Sequence, residues 1–296
     1  MRGSGLEVQE QRRTHEADRN SSGFVAALRL DLAESLRSRW ALLCLIIYAG
    51  IGAVFVLVGM RESALLGFTG TSRVLLGTTH FLLLVIPLLA LLATAQVVNR
   101  AREDGALELW LSQPIGRTEY LLAVALSRYV VLTTPFVLAL LIFGVLLGAA
   151  GGAPVAWELL LRAAAIGAAL NAAFVGLGLA LSTWLDAPAK SATAAIFLWM
   201  LSVALLDFAL VGAMLQWRLQ PQAIFALAVI NPVQAARMAL LSAQDPELSV
   251  LGPVGFYLVH QVGARTVLAL GTLWPACVAA LALGVSWLRI RSRDVC

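Results

Sequence analysis

The sequence predicts an all-α integral membrane protein with six transmembrane helices. Three observations lead there. Of the 296 residues, 60% are hydrophobic and only 13% are charged, against about 25% charged in a soluble domain. Six stretches approach or exceed the roughly 20 apolar residues that a helix needs to cross a hydrocarbon core of about 30 Å: 41–58, 74–98, 130–150, 163–181, 191–215 and 268–288. All 21 Lys and Arg residues fall outside these stretches. The spans must be helical, because isolated lipid-facing strands would leave backbone groups unpaired.

The distribution of basic residues orients the chain. With the N-terminus inside, fifteen Lys and Arg residues lie in cytoplasmic segments and six in outer ones, so the positive-inside rule places both termini and the 99–128 loop in the cytoplasm. The basic balance thus reflects topology and anionic lipid, with no case for nucleic acid. Residues 1–23 are polar and lack the apolar core of a secretory signal, so a disordered cytoplasmic tail is expected there, followed by a membrane domain over 24–296. Cys44 and Cys277 fall in spans and Cys296 ends the chain, and these positions encode neither a disulfide framework nor a zinc site.

Taken in order, the first element is an amphipathic elbow helix over 24–40. Phe24, Leu28, Leu32, Leu36 and Trp40 recur every four residues with charged residues between them. That stripe suits a helix lying in the cytoplasmic interface before the first span; a short soluble coiled coil is the alternative. In the second span, Pro87 removes one helical hydrogen bond and predicts a kink. In the fourth, Ala168, Ala172, Gly176 and Ala180 form a small-residue face for close helix packing, and Asn171 is expected to hydrogen-bond across helices. Between the fifth and sixth spans lies the largest outer segment, 216–267. Its 221–230 portion is too short to cross and is a candidate to dip into the interface. Asn231 before Pro232 is a helix start, an Asn cap followed by Pro at the first helical position, with a short helix expected over 233–241. Asp245-Pro246 and Gly252-Pro253 then turn the chain. No repeat relates the two halves, which counts against a transporter built from inverted repeats.

The polar stretch 99–128 is the most informative segment. Arg102, Glu103 and Asp104 precede Leu107, Trp110 and Leu111 at helical spacing, Pro114 and Gly116 turn the chain, and Thr118 with Glu119 opens the next helix. Spacing alone fits a solvated surface hairpin or a rigid link that carries force from a soluble motor to the spans. Here the residues reach a resemblance. Glu103, Gly105, Ala106, Leu107, Glu108, Leu109, Leu111, Ser112, Pro114, Arg117 and Glu119 resemble the coupling segment of ABC-2 type permeases, E-x-G-T-L-E-L-L-L-S-x-P-x-S-R-x-E. Ala106 stands where Thr is usual. Arg37-Ser38-Arg39-Trp40, Leu66-Gly67-Phe68-Thr69, Asp207-Phe208, and Asn231, Pro232 and Arg237 are similar to the NosY-type branch of that family, over about 28–293.

The resemblance implies an ABC-2, type V-like permease fold in the bacterial inner membrane, working as a homodimer with two cytoplasmic ATPase subunits. It implies that Glu103, Gly105, Leu107, Leu109, Trp110, Leu111, Pro114 and Arg117 meet the ATPase, with the 182–190 loop as a second contact. Asn231, Pro232 and Arg237 would form an outer platform for a periplasmic β-helical, NosD-like partner, with a copper chaperone as a further candidate. The role implied for the NosY branch is assembly of the copper-sulfur centre of nitrous-oxide reductase. No cofactor is expected on this chain, and ATP with Mg belongs to the partner ATPase. The residues agree that the motor is elsewhere, because the only lysine, Lys190, follows Asp186-Ala187-Pro188-Ala189 and lacks a phosphate-binding P-loop.

Asp207 is the only carboxylate within a predicted span, about 2.5 to 3.5 kcal/mol uphill at mid-membrane. Two roles fit it: a hydrogen bond at the dimer seam, or a place on a central path. Met200 and Met214 share its helical face, but at about 10.5 Å between neighbours they cannot ligate one ion. His80 and His260 also lack ligand spacing, and no Ser, His and Asp arrangement supports hydrolysis. Two other readings remain, an ABC-2 exporter of a drug, lipid or polysaccharide, and a membrane scaffold without a transport cycle.

Overall fold

The computed structural model describes residues 23–37, 39–66, 70–112, 115–151, 157–205, 212, 221–244 and 263–292. These residues are helical throughout, with no strand among them. The elements are α1 (Gly23–Arg37), α2 (Arg39–Leu66), α3 (Gly70–Thr94), α4 (Val97–Glu103), α5 (Ala106–Leu111), α6 (Arg117–Gly151), α7 (Trp157–Trp184), α8 (Pro188–Met200), α9 (Pro221–Ile230), α10 (Pro232–Gln244) and α11 (Ala264–Ser292). Five helices are long and apolar enough to cross a membrane, and up to six when Gly23–Arg37 and Leu42–Val54, bent by 56°, are counted as one. The described residues thus hold five or six candidate spans, in keeping with the expected plan. The expected tail, Pro114, Asp207, Met214, the 245–262 turns and His260 lie outside the described residues.

The fourth span, α7, is the hub, packing against α3, α4, α6, α8, α10 and α11. Its composition explains this. Small residues let backbones approach closely where no hydrophobic drive separates helix from lipid. A Cβ at Gly176 would stand 3.0 Å from the Ala279 carbonyl of α11, so the anticipated small-residue face does meet a helix there. Asn171 donates to the Thr133 hydroxyl of α6 at 2.7 Å, the expected interhelical bond.

The elbow helix docks by its polar side. Ala27, Asp31 and Ser35, one turn apart, are buried; Leu30 and Leu36 are each 59% exposed. Asp31 accepts from the hydroxyls of Ser127 and Ser35 and pairs with Arg128 of α6 at 3.6 Å. The outward side of α1 carries Val25, Leu30 and Leu36 together with Arg29, Glu34 and Arg37.

The 216–267 segment differs from expectation. Its helix α10 is longer than 233–241 and is inserted between α3, α7 and α11 instead of standing outside the bundle. Its Ala-rich face allows this: a Cβ at Gly271 would overlap the Ala239 methyl and come within 2.7 Å of the Ala235 carbonyl. The α9–α10 bend is held deep. Trp274, about 15 Å along α11 from Ala264 at about 1.5 Å per residue, donates to the Ile230 carbonyl at 3.2 Å. Asn231 donates to the Ser202 carbonyl, about 21 Å along the fifth span from Pro188. That carbonyl lies in a π-helical turn, Leu201–Leu205, whose widened register turns carbonyls toward side-chain donors. The bend between α9 and α10 is therefore tied to the fifth and last spans part-way along both.

Candidate coupling interface

The residues expected to meet an ATPase gather at the end of the bundle where α3 gives way to two short helices. Ala95 and Gln96 break α3, so α4 begins with orphan amides, and Gln96 supplies no side-chain cap. Ser182 of α7 supplies it from across the bundle. Its hydroxyl accepts from the Val98 amide at 2.9 Å and the Asn99 amide at 3.3 Å. Asn99 in turn donates to the Ser191 hydroxyl of α8 at 2.6 Å, and Ser191 donates to the Leu181 carbonyl at 3.4 Å. Asn99, Ser182 and Ser191 are all buried. One clasp thus joins α4 to the fourth and fifth spans. The amide oxygen of Asn99 is buried without a hydrogen-bond partner among the described residues.

The short helix expected at Leu107–Leu111 is present as α5, and Gly105 sets it apart from α4. This residue has φ of 70°, in the left-handed region, where a side chain would cost about 1–2 kcal/mol. It therefore ends α4 and begins α5. The split sorts the predicted contact residues into two sets. Leu107 is buried and Trp110 half-buried, packed on the core with the Trp110 ring 6.1 Å from that of Tyr120. Glu103, Asp104, Glu108 and Leu109 point outward, Leu109 being 69% exposed. The first set anchors the segment; the second is the surface available to a partner. The backbone of Leu111 closes α5.

At the start of α6, Glu119 accepts from the Gly116 amide at 3.0 Å, the return half of a capping box. Thr118, expected near the cap, instead accepts from the Trp287 indole of α11 at 2.9 Å. Arg117 donates to the Ile290 carbonyl at 3.3 Å, a cation placed at the negative end of α11. The Arg289 guanidinium lies 5.0 Å over the Trp184 ring and that of Arg291 5.4 Å over Trp287. The coupling segment is thereby fastened to the third, fourth, fifth and sixth spans together.

The other candidates are elsewhere. Asn231 accepts from the Val233 amide at 3.0 Å, capping α10 as the sequence suggests, and is buried, with Pro232 at the first turn. Arg237 lines a cavity of about 450 Å³ with Gly77, Phe81, Leu84, Gln234, Met238 and Leu241. Asn171 lies in the bundle, apart from both. Among the described residues no group of three His, Cys, Asp or Glu side chains converges as a metal site. Sequence reasoning missed Ser182, Ser191 and the Asp31 contacts. Their only signal was small polar residues beside apolar runs, which any membrane helix tolerates.

A family model described as ABC-2 family transporter protein matches residues 25–290. The chain is 28% identical over 272 residues to the probable ABC transporter permease protein NosY of Pseudomonas aeruginosa, across 87% of this chain and 95% of that protein. It is 26% identical over 275 residues to the probable ABC transporter permease protein NosY of Stutzerimonas stutzeri, across 88% and 93% of the two chains.

Proposed function

The chain belongs to the ABC-2 transporter family, and from that premise we propose that it is a permease subunit driven by a separate cytoplasmic ATPase and serving copper-sulfur centre assembly of nitrous-oxide reductase. The observation that carries the coupling half is the two-sided α4–α5 segment. Its outer side offers Glu103, Asp104, Glu108 and Leu109, and its inner side is clasped to α7 and α8 through Ser182 and Ser191. A push on the outer side moves the fourth and fifth spans, because the segment between them is rigid. Two copies of the chain meet two ATPase subunits, which hold ATP and Mg; this chain holds no cofactor. It sits in the bacterial inner membrane with both termini in the cytoplasm, as its charge distribution favours.

The maturation half rests on the NosY relatives. The periplasmic partner is NosD-like and β-helical, and a copper chaperone acts alongside it. The partner meets the outer rim near Arg237, while Asn231 and Pro232 hold the α9–α10 bend beneath. The work delivered is either passage of a sulfur species or a conformational signal to the periplasm.

Affinity purification of the tagged chain tests this reading, with recovery of an ATPase and a β-helical periplasmic protein expected. Leu109→Asp should keep the chain in the membrane and lower nucleotide turnover of the purified complex about tenfold or more, the equivalent of about 1.4 kcal/mol of lost contact. Recovery of neither protein overturns the reading. Recovery of an ATPase alone, with nitrous-oxide reductase fully metallated in a strain lacking the chain, leaves an ABC-2 exporter.

A further inference from the structure

Arg117, Thr118, Trp287, Ile290 and Arg291 enclose a cavity of about 400 Å³ between the start of α6 and the end of α11. Two arginines and a threonine line it, and none of the described lining residues is acidic. An indole, the side chain favoured at membrane interfaces, forms one wall. Both helices qualify as membrane spans with this cavity at their ends, Arg117–Leu146 and Arg265–Ser292.

Apolar residues lead away from the cavity along both helices. Leu122 and Leu126 follow Thr118 at successive steps of four on α6 and are 46% and 41% exposed. On α11, Leu288, Val285 and Leu281 run back from Arg291 at steps of three or four and are 59%, 42% and 65% exposed. Residues at these spacings share a helix face. A cation-lined cavity alone would suit any phosphate. Joined to two exposed apolar strips, it suits one that carries acyl chains.

We infer that this cavity binds the phosphodiester headgroup of an anionic phospholipid of the inner leaflet, with its acyl chains along the Leu122–Leu126 and Leu281–Leu288 strips. Basic pockets between spans on the cytoplasmic side hold such headgroups, and the inference rests on the proposed orientation of this end. The bound lipid bridges the helix that receives the coupling segment and the last span, both of which Arg117 already touches.

Native mass spectrometry of the detergent-purified full-length chain, titrated with phosphatidylglycerol or phosphatidylcholine, tests it without involving the ATPase, so its outcome is separate from that of the coupling reading. Phosphatidylglycerol should bind more tightly. Arg291→Gln, at an exposed position that the fold tolerates, should weaken phosphatidylglycerol binding about fivefold, the contribution of one arginine near a membrane surface, and leave phosphatidylcholine unchanged. Arg162→Gln, which alters a pair with Glu158 near the start of α7, should have no effect. Equal affinity of the unaltered chain for the two lipids, or an Arg291→Gln variant that binds phosphatidylglycerol as the unaltered chain does, overturns the inference. Displacement of the lipid by millimolar glycerol phosphate also overturns it, assigning the cavity to a soluble anion.

Discussion

At the scale of single residues, the end of the bundle that carries α4 and α5 is organised by hydroxyl groups standing in for missing helical hydrogen bonds. Ser182 satisfies two buried amides at once, and a buried donor left unpaired costs about 1–3 kcal/mol. Ser182→Ala should therefore lower the thermal unfolding midpoint of the purified chain by several degrees and make the Val98 and Asn99 amides exchange faster with deuterium. An unchanged midpoint and unchanged exchange would mean that the clasp contributes nothing. Leu109 belongs to a different class. Its side chain is mostly exposed, so its replacement tests the partner surface without disturbing packing, whereas Leu107→Asp would confound the two by placing a charge in the core.

At the scale of elements, what could be read in advance followed from backbone chemistry. Asn231 with Pro232 announced a cap that is present, Glu119 announced a first-turn acid that caps, and Asn171 announced an interhelical bond. The inserted placement of α10 could not be read in the same way. An Ala-rich helix of 13 residues fits a surface as well as a crevice, and only the meeting of Ala235 and Ala239 with Gly271, over 30 positions away, decides between them. Gly271→Leu should force α10 away from α11, lowering expression and exposing α10 to added protease in everted or right-side-out vesicles, while Gly284→Ala, with nothing within 4 Å of the added carbon, should behave as the unaltered chain. Equal protection of both variants would show that α10 does not depend on this contact. The break at Gly105 was likewise hidden: helical spacing continues through it, and only the positive φ reveals the division into anchor and contact surfaces.

At the scale of the whole molecule, the span count and the helical class were legible because the bilayer imposes length and hydrogen-bonding demands on any chain that crosses it. The hub role of α7 was only partly so. Its small-residue face predicted close packing but not that six other helices would share it, since that depends on where Thr94, Phe136 and Ala279 arrive from other spans. The elbow helix shows most plainly how much is settled late. Asp31 finds Ser127 across 96 positions, and a ribosome adding about 5–20 residues per second takes on the order of 5–20 s to supply that partner. During that interval the carboxylate of the newborn helix has only Ser35 of its own helix as a partner, while two spans are already made. Docking of α1 is thus a step of biogenesis timed by the third span. In stalled nascent chains, a cysteine at Ala27 should react with a water-soluble maleimide until the tether passes Arg128 and resist it afterwards; protection before that point would mean that the elbow is received by the first two spans alone.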